Sequence, residues 1–191
     1  MNELKAIELG KIWMRNSLNK GHDYEHASAV EKHGLAIYKS LKEDGRLKPN
    51  IDEELVSLVA WWHDSYKARL KYPTIKALIF EGYESEKIVE KELKNYLSKD
   101  RLAIIKDAIR YHNHPWIYFV LTNKFNQLRQ ILLEADNIEV FSEKRLDRSF
   151  PDVNSIVVRA IFKLFCFDII FWFKVLPVSR YTKQYITKLK I

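Results

Sequence analysis

Apolar residues recur at three- and four-residue steps along nearly the whole chain, and no stretch alternates convincingly between apolar and polar. That period belongs to helices that bury one face, and it leaves no strand to build a sheet from. The turn-forming residues agree. Five Gly and five Pro in 191 residues are too few for a sandwich or barrel that turns about every ten residues. The fold class expected is all-α. The length suits one domain over 1–191 with a sizeable core. A hydrophobic share of 47% beside 30% charged residues excludes long disorder and a collagen-like chain.

The prolines at 49, 73, 115 and 151 border periodic segments, and only Pro177 falls inside one. A first helix presents Leu4, Ile7, Met14 and Leu18 and ends before Asn19-Lys20-Gly21. A second runs from about Asp23 to Leu41, with Ala29, Val30, Ile37 and Leu41 on one side. Asp52 can cap a third, whose inner face carries Leu55, Val56, Leu58, Val59 and Trp62. Further helices are expected over 74–80, 83–98, 100–112, 117–142, 153–175 and 179–190. The helices over 153–190 should pack as an addition on a core spanning 21–142.

Charge is uneven along the chain. The net charge is +7, and residues 155–191 supply six of those charges, with seven basic residues against Asp168. A basic end can attract anionic substrates, nucleic acid or acidic lipid, and a solvated helix face explains it equally well. The most apolar stretch, 156–178, is interrupted by Arg159, Lys163, Asp168 and Lys174, and its longest unbroken apolar run is the five residues Ile169–Phe173. A membrane span needs about 20 mostly apolar residues, so a buried core helix is expected, with an oligomer interface as second choice. The single cysteine, Cys166, offers no disulfide framework and no cysteine-based zinc site, which fits a cytoplasmic setting. The charged N-terminus reads as no targeting segment.

The histidines and aspartates carry the chemistry. His26, Val30, His33, Ile37 and Leu41 follow one another at steps of four, three, four and four, which turns His26 toward the core. Val56, Val59 and His63 share a stripe, and Asp64 follows directly. Asp136 lies among Leu132, Leu133 and Val140 at helical spacing. A carboxylate on such a face is expensive to bury without a partner, and a metal is a natural one. Two imidazoles and two carboxylates suit a divalent ion such as Mn, Fe, Ni, Mg or Zn. Taken singly, each residue is better explained as a hydrogen-bonded core histidine, a helix cap or a salt-bridge partner; taken together they point to an ion.

The segments GHDYEHASAV (21–30), LVAWWHDSYK (58–67) and LLEADNIE (132–139) resemble the three signatures of the HD-domain metal-dependent phosphohydrolases. Order and spacing agree, with 37 residues from His26 to His63 and 72 from Asp64 to Asp136. The resemblance implies a helical bundle in which His26, His63, Asp64 and Asp136 hold a catalytic metal. It places Lys67 where the family often has a lysine near substrate phosphate. DAIRYHNHP (107–115) and the segment 131–145 are similar to the dinuclear branch that hydrolyses dinucleoside tetraphosphates. That likeness implies a second ion held by His112 and by Glu81, or by Phe80's position if the register slips. It also implies that Asp64 bridges two ions. His114 departs from the pattern, and either orients substrate or His112 or is a turn residue before Pro115. An oxygenase branch of the family needs more histidines, and a histidine where Lys67 stands.

His22 and Asp23 precede the first ligand and could face substrate, although Asp23 is also a good helix N-cap. Trp61, Trp62, Tyr66, Tyr111 and Trp116 lie beside the motifs and serve either to stack a nucleobase or as core. The expected function is hydrolysis of a small phosphorylated substrate, a nucleotide foremost, by Asp64 and Lys67 with one or two ions. The alternative is a non-catalytic nucleotide- or nucleic-acid-binding domain that keeps the metal site. A homo-oligomer is compatible with both.

Overall fold

The computed structural model describes residues 2–71, 75–112, 126–141 and 156–189. His114 and Trp116, named above as candidates, lie outside the described residues, as do residues 117–125 and 142 of the helix expected over 117–142. Among the described residues there are eight α-helices and no strand. They are α1 (Glu3–Arg15), α2 (Tyr24–Glu43), α3 (Glu53–Trp62), α4 (Ile75–Leu93), α5 (Lys99–Arg110), α6 (Gln127–Glu139), α7 (Ile156–Val175) and α8 (Arg180–Lys188), with a 3-10 turn at Lys67–Arg69 after α3.

Side-chain caps set most of the starts. Asn2, Asp23, Asp52, Ser98, Asn126 and Ser179 each accept a hydrogen bond from a backbone N–H in the first turn of the helix they precede. Each cap satisfies a donor that the helix cannot use internally. Asp23 caps α2 through the N–H groups of Glu25 and His26. The same contact places His26 in the first turn of the helix.

The bundle is assembled around α6, which packs against α2, α3 and α5. Nearly every residue of α6 is buried, polar ones included. Those polar groups find partners. Gln127 holds the loop after α2 through Lys48 N–H and the Arg46 carbonyl, at 2.7 and 2.9 Å. Arg129 donates to Asp107 on α5 at 2.6 Å. Glu134 accepts from Ser179 and Thr182 at the start of α8, tying that helix to the bundle. A helix buried on all sides is stable only when such groups are paired.

Three expectations are corrected. Leu4 and Leu18 are exposed, and the inner face of α1 is Ala6, Ile7, Gly10 and Met14. Small residues mark the contact because α3 comes so close: Trp62 Nε1 donates to the Ala6 carbonyl at 3.0 Å, and a Cβ on Gly10 would stand 2.7 Å from that same nitrogen. The helices expected over 74–80 and 83–98 are one helix, α4, because Gly82 continues it. A helical glycine costs about 1 kcal/mol relative to alanine, but here it lets α4 lie against the end of α5, where a Cβ would run into the Arg110 carbonyl. Finally, α7 is not buried all round. Cys166, Ile169 and Phe173 face inward, while Leu164, Phe167, Phe171 and Val175 are exposed. No helix among the described residues is long and apolar enough to cross a membrane.

Candidate metal centre

His26 at the start of α2, His63 and Asp64 at the end of α3, and Asp136 in the last turn of α6 come together from three helices. His26, His63 and Asp64 are fully buried, and Asp136 is 22% exposed. His26 Nε2 lies 3.1 Å from His63 Nε2 and 3.1 Å from Asp64 Oδ2. His63 Nε2 lies 3.2 Å from the same Asp64 oxygen. Asp136 Oδ1 completes the group, at 3.4 Å from His26 Nε2 and 3.8 Å from His63 Nε2.

The outward nitrogens explain why these atoms converge. His63 Nδ1–H donates to the Ala60 carbonyl one turn back at 2.9 Å, and His26 Nδ1–H donates to the Glu139 carboxylate at 3.0 Å. An imidazole whose Nδ1 carries the proton presents a lone pair at Nε2. Two Nε2 lone pairs 3.1 Å apart, with carboxylate oxygens around them, repel one another unless a proton or a cation lies between them. Adjacent ligand atoms around an octahedral ion with bonds of about 2.1 Å are about 3.0 Å apart, and around a tetrahedral ion about 3.4 Å. The residues therefore fit a divalent ion.

Protons are the other way to relieve such a set. Burial alone would lower the His63 pKa, but the charges of Asp64 and Asp136 outweigh it and raise the imidazole to about 9. Burial pushes Asp64 upward, yet His22, His63 and Lys67 hold it well below the usual carboxylate range. Asp136 is likewise lowered against its burial by His63 and His26. An ion in place of the protons would satisfy the same charges.

The other expected residues fall beside this centre. His22 Nδ1 is 2.5 Å from Asp64 Oδ2, which puts it in the cluster itself. Lys67 Nζ is 2.5 Å from Glu81 Oε2 and 3.4 Å from Asp64 Oδ1. His112 is buried, its Nδ1–H donates to the Ile109 carbonyl at 2.6 Å, and its Nε2 is 3.4 Å from Glu81 Oε1. Glu81 is buried and Phe80 is 49% exposed, so the glutamate is the residue that faces the cluster. Burial raises the Glu81 pKa, the Asp64 charge adds to that, and Lys67 opposes it. Three overlapping trios could each hold an ion: His22, His26 and Asp64; His26, His63 and Asp136; His63, Asp64 and His112.

His33, on the same stripe as His26, is instead 2.9 Å from the Tyr181 hydroxyl of α8. Trp61 and Trp62 are core residues at 1% exposure, which leaves neither free to stack a base. Glu139 went unmarked in the sequence. Its signal was the spacing: three residues beyond Asp136 on a helix is the same face, one turn on. Compared with known proteins, the chain matches no family model, no curated protein and no solved structure.

Proposed function

We propose that this chain is a metal-dependent phosphohydrolase of the HD-domain type, acting on a small phosphorylated molecule, with nucleotides the foremost class. The observation that carries the reading is the meeting of His26, His63, Asp64 and Asp136 with both Nε2 atoms turned inward. The likeness of the three sequence segments to that family supplies the reaction class. A bound divalent ion would supply a more acidic water and a Lewis acid for a phosphoryl oxygen.

The chain's own residues divide the remaining work. Glu139 and the Ala60 carbonyl lock the orientation of His26 and His63, so the ligand atoms need no rearrangement on binding. The fully buried members keep bulk water from the back of the site. His22, Lys67 and Asp136, whose side chains are 17, 14 and 22% exposed, mark the open side where a phosphate would enter. There Lys67 adds positive charge near the phosphoryl oxygens, and His22, against Asp64, can hold or release a proton.

Metal analysis of the purified protein and of the His63→Ala/Asp64→Ala variant tests the site. Metal in the first and none in the folded second is expected, and undiminished metal in the variant would sink the assignment. The metal-loaded protein is then screened against nucleotides, dinucleoside polyphosphates and a generic phosphodiester. Turnover of none of them, with nucleotide binding intact, would turn the reading to the non-catalytic binding domain.

A further inference from the structure

The two oxygens of Asp64 serve two different sets of neighbours. Oδ2 meets His22, His26 and His63 at 2.5, 3.1 and 3.2 Å. Oδ1 is fully buried, accepts no hydrogen bond among the described residues, and lies 3.4 Å from the Lys67 ammonium. That ammonium is 2.5 Å from one oxygen of Glu81, whose other oxygen is 3.4 Å from His112 Nε2. His112 in turn sets its ring edge-on to His63, with centroids 5.2 Å apart. On this side of Asp64, then, a carboxylate oxygen, a glutamate and a histidine surround a position that already has a cation beside it.

We propose that the Lys67 ammonium takes the place of a second metal ion, so that the site holds a single divalent ion on the Oδ2 side and an organic cation on the Oδ1 side. The inference rests on the metal-site reading above and sharpens it. Lys67 reaches the position because the chain turns tightly after α3: Ala68 N–H donates to the Asp64 carbonyl at 3.0 Å, which folds Lys67 back over the aspartate. An ion entering between Asp64 Oδ1, Glu81 and His112 would have to share both carboxylates with the ammonium, which already engages Glu81 Oε2 and stands 3.4 Å from Asp64 Oδ1. Two bridged ions sit about 3.5–4 Å apart, so an ion entering here would also meet the lysine charge at close range. Shortening the lysine removes both obstacles and leaves Asp64, Glu81 and His112 facing the vacated space.

Equilibrium dialysis of the metal-free protein against Mn²⁺ measures the stoichiometry, and electron paramagnetic resonance distinguishes an isolated Mn²⁺ from a coupled pair. The wild type should bind one ion per chain with the spectrum of an isolated centre. Lys67→Ala should bind two with a coupled spectrum, and adding Glu81→Ala should return the count to one. Lys67→Gln, which keeps more of the packing and is neutral, is the second variant should Lys67→Ala fail to fold; two ions are expected there as well. Two ions in the wild type would overturn the inference while leaving the metal site intact. So would a folded Lys67 variant that stays at one. No bound ion in the wild type would remove the metal-site reading itself, a result distinct from either.

Discussion

Glu139 accepts from His26, 113 residues away in sequence, and its carboxylate is buried with the imidazole it holds. Removing the partner of a metal-ligating histidine frees the ring to rotate and weakens its basicity, typically by 10–100-fold in metal affinity, about that order being expected here. Glu139→Ala should therefore weaken binding by about 10–100-fold in a competitive chelator titration. Glu139→Gln, which keeps an acceptor oxygen, should lose much less. Equal losses in the two would mean that the charge near the ion, not the hydrogen bond to Nδ1, is what matters. The candidate ligands themselves were legible from their apolar neighbours. Glu139 was not, because a glutamate at the end of a helix reads as solvent-facing until the opposing imidazole is in place.

At the scale of elements, close approach and clamping govern where the site residues land. Gly82 follows Glu81, and the Arg110 carbonyl it abuts is two residues before His112. Gly82→Ala should gain helix propensity and still destabilise, by about 1–3 kcal/mol in chemical denaturation, because the backbone of α5 must move aside. A neutral or stabilising result would show that the contact is slack. A second junction joins α1, α3 and α5. Arg101 donates to both oxygens of Asp52, at 2.6 and 2.9 Å, and to Glu3 at 2.8 Å. Burial raises the Asp52 pKa, but the hydrogen bonds from Arg101 and from Leu55 N–H prevail and hold it below the ordinary 3.8. A carboxylate depressed in the folded state contributes stability that is present above its unfolded value and is lost as pH falls through the folded one. Thermal melts should thus weaken as the pH falls below about 4, and Asp52→Asn should flatten part of that slope. An unchanged acid limb in the variant would show the clamp to be too exposed to count.

Across the whole molecule, an ion held by α2, α3 and α6 would bind the folded chain alone. A ligand at a hundred times its dissociation constant adds about 2.7 kcal/mol to folding. For a chain of this size that corresponds to a rise in Tm of about 5–10 °C. Adding Mn²⁺ to the metal-free protein should produce such a rise, a chelator should reverse it, and the His63→Ala/Asp64→Ala variant should show neither. A wild-type Tm indifferent to both treatments would mean that the three helices are not joined through an ion.

Local chemistry was enough to read the class of fold and the starts of several helices. Asp23 and Asp52 sit before amphipathic runs, and a cap needs only its own first turn. The residue types at the centre were legible for a similar reason: His26, His63 and Asp136 lie on apolar stripes that each helix displays by itself. Tertiary structure alone decided the rest, because each remaining feature depends on an atom from another helix. The inner face of α1 is set by Trp62, the orientation of His26 by Glu139, and the partner of Lys67 by Glu81 on α4. The exposure of Phe167 and Phe171 on α7 belongs to the same class, since apolar spacing marks every face that could be buried and only packing selects the one that is.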